Sequence, residues 1–274
     1  MKDFKIALQL YSVRDHMEKD MDATLKAVKE MGYDYVEFAG YFDHTAEELA
    51  ALLAKYDLKC LSVHQVIDFY LEGGMEAVKF IKTLGAKYSA IPWYSKDNYT
   101  AEKMGETVAR FTEVGKLLAE GGLEMLYHNH DFELAPYGGT LILDYLFANV
   151  PGLNPEFDTC WVKYAGYDPC KYLETYAGRY KVVHLKDFTC NELAAGPVYA
   201  LIDKNGNEAK PKSRDEMGFR FRPVGSGMQD VPAIINAAIK GGAELFIVEQ
   251  DQSYETPCLE AAKMSREYLK SLGW

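Results

Sequence analysis

The chain has 274 residues, 48% of them hydrophobic and 13% aromatic, enough for a large core. Its formal charge is −11, from 30 basic and 41 acidic residues, which argues against a binder of the nucleic-acid backbone. Five cysteines, an odd number without CxxC spacing, argue against a disulfide framework, and reduced thiols of a cytoplasmic protein are expected. Charges within the first five residues leave no signal peptide expected there, and no run of 18 apolar residues suggests a membrane span.

Strand-like and helix-like segments alternate along the chain. Ile6–Leu10 reads as a first strand, and Met21–Met31, with apolar residues at helical spacing, as a helix. Strand two is Tyr35–Phe38. The helix Thr45–Tyr56 follows, opened by Thr45 with Glu48 three residues on, a capping box. Cys60–His64, a helix over Gly74–Leu84 and strand Tyr88–Pro92 come next, then a long amphipathic helix over Ala101–Glu120 stopped by Gly121-Gly122. Leu123–His128 is strand five and Leu141–Asn149 its helix. Strand six ends at Asp158, before a helix near Pro169–Tyr176. Lys181–Leu185 is strand seven, Val231–Lys240 its helix, Leu245–Glu249 strand eight and Pro257–Leu272 the last helix.

Eight βα units in sequence predict a closed, all-parallel (β/α)8 barrel, one domain spanning residues 1–274. An open doubly wound sheet is the alternative, but no GxGxxG follows strand one. About forty residues, Asp187 to Asp230, interrupt the rhythm and carry a hairpin-type Asn205-Gly206 turn signal. A connection this long inside a compact domain is expected to be a lid or binding loop, over 187–230.

Four of the later apolar runs end in metal-ligand residue types: His128 with His130 close behind, Asp158, His184 and Glu249. Enzymes of this architecture place their chemistry at the C-terminal ends of the strands. Two imidazoles and two carboxylates converging there suit one divalent ion, Mn²⁺ first, with Co²⁺, Fe²⁺, Mg²⁺ and Zn²⁺ as the other candidates. His128 and His130 are two apart, so an extended strand turns both to one side. The plain alternatives are hydrogen-bonded strand-end histidines, an Asp158 that caps the next helix, and a surface Lys186 paired with Asp187. Other strand ends offer Gln9, Glu37, His64 and Trp93 as contacts for a sugar. Trp161 could pack on that sugar or on the barrel rim, and Arg222 would suit a carboxylate or phosphate.

Several phrases resemble the sugar phosphate isomerase/epimerase family, the xylose isomerase-like TIM barrels. They are Gln9-Leu10-Tyr11-Ser12-Val13-Arg14, Gly32-Tyr33-Asp34-Tyr35-Val36-Glu37, Tyr127 through Glu133, Phe157-Asp158-Thr159, His184-Leu185-Lys186-Asp187 and Glu249-Gln250-Asp251. The resemblance implies one divalent metal held by His128, Asp158, His184 and Glu249. Many members carry Glu where His128 stands, which leaves Glu133 as a rival first ligand or a substrate contact. It further implies His130 as the base that removes a proton α to a carbonyl, Glu249 as a second proton-transfer group and Lys186 as a stabiliser of oxyanion charge.

The expected function is isomerisation or epimerisation of a keto-sugar through an enediolate. The alternatives are an inosose dehydratase or 3-keto-glycoside lyase and, in another class, a non-catalytic sugar-binding barrel. The expected partner is a small sugar or cyclitol, with no nucleic acid and no membrane. A homodimer is the commonest soluble assembly. Apurinic endonucleases of this barrel family place a histidine three residues after the strand-six aspartate, where this chain has Trp161.

Overall fold

The computed structural model describes residues 4–193 and 213–274. Eight strands, β1 (Lys5–Gln9), β2 (Tyr35–Ala39), β3 (Lys59–His64), β4 (Tyr88–Ile91), β5 (Glu124–His128), β6 (Asn154–Asp158), β7 (Val182–Leu185) and β8 (Leu245–Val248), form a closed barrel in sequential order. Every neighbouring pair is parallel, and closure runs from Lys5 opposite Leu245 to Leu8 opposite Val248.

The helices wrap the outside: α1 (Arg14–Lys19), α2 (Met21–Met31), α3 (Ala46–Lys55), α4 (Ile67–Thr83), α5 (Met104–Glu120), α6 (Ile142–Asn149), α7 (Thr159–Tyr164), α8 (Pro169–Thr175), α9 (Val231–Gly241) and α10 (Cys258–Ser271). The Thr45–Glu48 capping box opens α3 as its sequence predicts. α4 begins seven residues earlier than the sequence pattern suggests: two helical pieces meet at Gly74, whose φ of 53° and ψ of −136° break the hydrogen-bond run. Leu10 leaves the first strand for a 3₁₀ turn over Leu10–Val13. No helix of the described residues is long and apolar enough to cross a membrane.

Strand periodicity divides the core. On β6, Phe157 points outward against Phe147, Tyr172, Tyr176 and Tyr180, while Glu156 and Asp158 are fully buried on the other face. The interior has an apolar floor of Ala7, Tyr88, Ala90, Leu126, Val182, Leu245 and Ile247. One or two steps on, the same inward faces carry Gln9, His128, His184 and Glu249. The barrel is therefore dry at one end and polar at the end where its strands finish. Between β2 and β3 the register slips at Val36/Glu37, a bulge that re-aims the Glu37 side of the ladder.

The long connection after β7 is described in part. Asp187–Thr189 pairs antiparallel with Arg220–Arg222, and Phe188, Phe219 and Phe221 of this ribbon pack on Cys160, Trp161 and Tyr164. The Asn205-Gly206 turn lies outside the described residues.

Candidate active site

At the C-terminal mouth, His128, Asp158, His184 and Glu249 each offer a ligand atom, and these atoms lie within 4.8 Å of one another. His184 Nδ1 is 2.9 Å from Glu249 Oε2, and His128 Nε2 is 3.2 Å from Asp158 Oδ2 and 3.5 Å from Glu249 Oε2. Both ring nitrogens of His128, and Asp158 Oδ2, are buried without a hydrogen bond. Asp158 Oδ2 meets only the Lys186 ammonium and the edge of the His128 ring, so a cation between His128 and Asp158 would supply the well-aligned partner that these atoms lack. The donor set thus fits a divalent metal, imidazole favouring Zn²⁺, Fe²⁺, Co²⁺ or Mn²⁺ over Mg²⁺.

Asp158 serves two ends at once. Its Oδ1 accepts from Cys160 N (2.8 Å) and Trp161 N (3.2 Å), capping α7, while Oδ2 faces the cluster. The cap that the sequence offered as the plain alternative is formed, and the same carboxylate leaves its second oxygen turned to the cluster.

Lys186 is not a surface residue. It is buried, with Nζ 3.0 Å from Asp158 Oδ2, 2.8 Å from Glu249 Oε2 and 3.0 Å from Asp251 Oδ1. Its charge also faces the rings of Trp161 (5.2 Å) and Phe221 (5.7 Å). Burial works against the ammonium, but Asp158, Asp251 and Glu249 outweigh it and hold the Lys186 pKa well above its ordinary value. Asp187 turns the other way and accepts from the backbone N–H groups of Gly225, Gly227 and Gln229.

His130 sits on the cavity wall, its ring stacked on Phe132 at 5.6 Å and 5.5 Å from Trp161. Burial, then the His128 and Lys186 charges, push its pKa well below the usual imidazole value, so it stays neutral. His128 behaves differently: burial and His184 lower it, but the close Asp158 and Glu249 carboxylates prevail and lift it to about 9.

A deeper layer underlies this cluster. Gln9 Nε2 donates to Glu37 Oε2 (2.7 Å), which also lies 2.9 Å from His184 Nε2 and 3.2 Å from His64 Nε2. His64 Nε2 is 2.7 Å from Glu156 Oε2. Glu37 thus orients the ring whose other nitrogen faces the ligand cluster, as carboxylates commonly do behind ligating histidines. Of the expected sugar contacts, His64 and Trp93 line the cavity, whereas Gln9 and Glu37 are fully buried beneath it.

Three further residues offered as substrate contacts do not line the cavity. Glu133 does not reach the cluster: its oxygens accept from Tyr127 Oη (2.6 Å) and His130 N (2.8 Å), because the Phe132–Leu134 turn carries it behind the wall. Arg222 lies off the cavity, paired with Glu255 (2.9 Å), and Arg14 and Arg214 line the cavity instead. Trp161 takes the rim-packing alternative: it is buried against Phe219 and backs His130 rather than lining the cavity. Sequence reading missed Glu156 and Asp251. Each stands two residues from a residue it singled out, Asp158 or Glu249, and the period-two rule on one strand could have found Glu156.

The cavity above these groups measures about 710 Å³, and the described end of the long connection (Ser213, Arg214, Asp215, Phe219, Phe221) forms part of its wall.

A family model described as Xylose isomerase-like TIM barrel matches residues 25–272. An inosose dehydratase of Geobacillus kaustophilus (strain HTA426) is 24% identical, with 94% of this chain and 88% of that protein covered. A sugar phosphate isomerase/epimerase from Parabacteroides distasonis ATCC 8503 has the same fold, with a TM-score of 0.75 at 20% identity over 98% of this chain and 94% of that one. The IOLI protein with a binding zinc atom gives a TM-score of 0.67 at 17% identity, covering 98% of this chain and 97% of that one.

Proposed function

This chain belongs to the xylose isomerase-like TIM barrel family, and from that premise we propose that it is a divalent-metal-dependent enzyme removing a proton α to the carbonyl of a keto-sugar or keto-cyclitol. The observation that carries the reading is the convergence of His128, Asp158, His184 and Glu249 on one point, with the neutral His130 on the adjoining wall. A metal held by those four residues would supply Lewis acidity at the substrate carbonyl.

The chain's own groups account for the rest. His130 accepts the α-proton, since an imidazole kept neutral and exposed to the cavity can act as a general base. Lys186, fixed by three carboxylates, places positive charge where oxyanion character develops. Trp161 and Phe221 shield that charge from water, which strengthens it. We read the described ends of the 187–230 connection, which form part of the cavity wall, as belonging to this site; residues 194–212 lie outside the described residues.

Sequence alone puts isomerisation or epimerisation first; the geometry favours elimination. An epimerase returns a proton to the opposite face and needs a second free acid–base group. Here Glu249 is shared among His184, Lys186 and the candidate metal position, and His128 stands where many members carry a glutamate. In an elimination His130 takes the proton, the C–H electrons form a carbon–carbon double bond, and the bond to the β-oxygen breaks. The departing oxygen then recovers the proton from the His130 imidazolium, and no oxidant is required. The inosose dehydratase relative supports the same class.

Solvent exchange and product identification test the reading on a panel of ketoses, inososes and 3-keto-glycosides in D₂O, followed by NMR. His130→Gln is expected to lose at least 100-fold in α-proton exchange with metal content unchanged, and His184→Ala to lose stoichiometric metal. Wild-type exchange in His130→Gln would remove the base assignment.

A further inference from the structure

Beneath the candidate metal cluster a second set of ligand atoms converges. Glu37, His64, Glu156 and His184 each offer one, and these atoms lie within 4.8 Å of one another. Glu37 and His64 come from the neighbouring strands β2 and β3, Glu156 and His184 from β6 and β7 across the barrel. Glu37, Glu156 and His184 are fully buried, whereas His64 is 7% exposed and lines the cavity. The proposed reaction draws on His184 alone and leaves two buried carboxylates and an imidazole unused.

Hydrogen bonds satisfy this layer only in part. His184 Nε2 lies 2.9 Å from Glu37 Oε2, a contact that its one hydrogen fills. His64 Nε2 stands between two carboxylates, 2.7 Å from Glu156 Oε2 and 3.2 Å from Glu37 Oε2. A ring nitrogen carries at most one hydrogen, so it serves one of those oxygens well and not both. Glu37 Oε1 is buried with no hydrogen-bond partner. Both nitrogen–oxygen spans are slightly shorter than the ~3.3 Å between neighbouring donors of a tetrahedral zinc, so small side-chain movements would seat one. Gln9 Nε2 donates to Glu37 (2.7 Å) and Ser62 Oγ to Glu156 Oε1 (3.4 Å), the outer hydrogen bonds that ligating carboxylates keep.

Charge argues for an ion over a proton. A metal ligand must offer a lone pair, so an upper ion on His184 Nδ1 leaves that ring neutral. The Glu37 and Glu156 carboxylates then bring two negative charges, and a proton on His64 cancels one of them. A divalent ion on the His64 lone pair cancels both, in a place where an unpaired charge is costly. This step rests on the upper ion of the proposed function; the placement of His64 between two carboxylates does not.

We propose that Glu37, His64 and Glu156 form a second divalent-cation site, below the first and separated from it by the His184 ring. That ring keeps its Nε2 hydrogen on Glu37 and turns Nδ1 to the upper cluster. Imidazole with two carboxylates suits Zn²⁺ or Mn²⁺ better than Mg²⁺. His64 binds as the neutral ring with its hydrogen on Nδ1, and any second proton goes to solvent. Entry is past His64, from the cavity. An ion there ties β2 and β3 to β6 across the barrel and holds in place the carboxylate behind His184.

The probe is Zn²⁺ on the full chain, stripped with EDTA, reloaded with excess zinc and freed of unbound ion by gel filtration. Elemental analysis is expected to find two zinc ions per chain. A crystal of the loaded protein should give two anomalous peaks, the lower one among Glu37, His64 and Glu156. Glu156→Gln and His64→Gln, each checked for folding by circular dichroism, are expected to retain one ion, and Asp158→Asn to lose the upper ion alone. A single wild-type ion that survives Glu156→Gln and His64→Gln but not Asp158→Asn would overturn the lower site and leave the proposed metal enzyme standing. A single ion with the reverse pattern would sink the upper site and keep the lower one. Two ions with no peak among those three residues would overturn the proposal, and no ion at all would overturn both sites. The wild-type peak decides the matter even where neither lower variant folds.

Discussion

The Glu133 carboxyl accepts from Tyr127 Oη and from the His130 backbone N–H, yet its burial dominates and lifts its pKa from 4.5 to about 7. The sign follows from linkage. A carboxyl whose folded pKa exceeds its unfolded one favours folding in its protonated form. That contribution is complete below about pH 4.5 and fades as pH rises to about 7. The span corresponds to about 3 kcal/mol. Glu133→Gln removes the titration while keeping the bonds satisfiable: the amide oxygen can accept from His130 N, and the amide nitrogen can donate to Tyr127 Oη, which itself pairs with Tyr99 Oη. Urea denaturation from pH 4.5 to 8 is expected to show the wild type losing about 3 kcal/mol relative to Glu133→Gln across that window. Parallel curves would contradict the account. The residue matters for the site because its second oxygen fixes the backbone that carries His130.

At the scale of elements, Asp158 joins a strand end, a helix start and the ligand cluster. Asp158→Asn retains an oxygen able to cap α7 but loses the charge facing His128 and Lys186; Asp158→Ala loses both. Both variants are expected to lose metal. The alanine variant should lie about 1 kcal/mol below the asparagine one in thermal or urea unfolding with EDTA present, that gap being the cap. Equal stabilities would show that the cap is idle. The eight strands were legible because parallel strands buried on both faces read as continuous apolar runs, as in Leu245–Val248. α1 and α7 were not, because six residues give too little periodicity to register and α7 follows β6 without a loop. The four residues of the candidate cluster were legible as polar residues closing apolar runs. Lys186 was only half legible: its pairing depends on Asp251 and Glu249 arriving from another strand, which spacing cannot report. The same holds for Glu133, whose direction is set by a turn, and for Arg222, drawn aside by Glu255.

For the molecule as a whole, the barrel gathers four buried carboxyls, Glu37, Glu156, Asp158 and Glu249, with the half-buried Asp251 beside them, at one end of a chain already carrying a charge of −11. Such a concentration is tolerable only with cations among it. Lys186 is one, and its ammonium contacts the Asp158 and Glu249 oxygens that face the candidate metal position. Ammonium and metal are therefore alternative neutralisers of the same two carboxylates. Loading should draw Lys186 toward Asp251 and the cavity, where the proposed chemistry uses it. Lys186→Met isolates this balance. With EDTA it is expected to be less stable than the wild type by about 3–5 kcal/mol, the usual cost of removing one partner from a buried ion pair. Adding Mn²⁺ or Zn²⁺ should then raise its Tm by more than it raises that of the wild type, because binding to the folded state stabilises it in proportion to affinity and the variant no longer opposes the metal with a resident charge. An equal Tm rise in the two proteins would mean that lysine and metal do not share those oxygens, and the site would have to be rebuilt around His64, Glu37 and Glu156 instead.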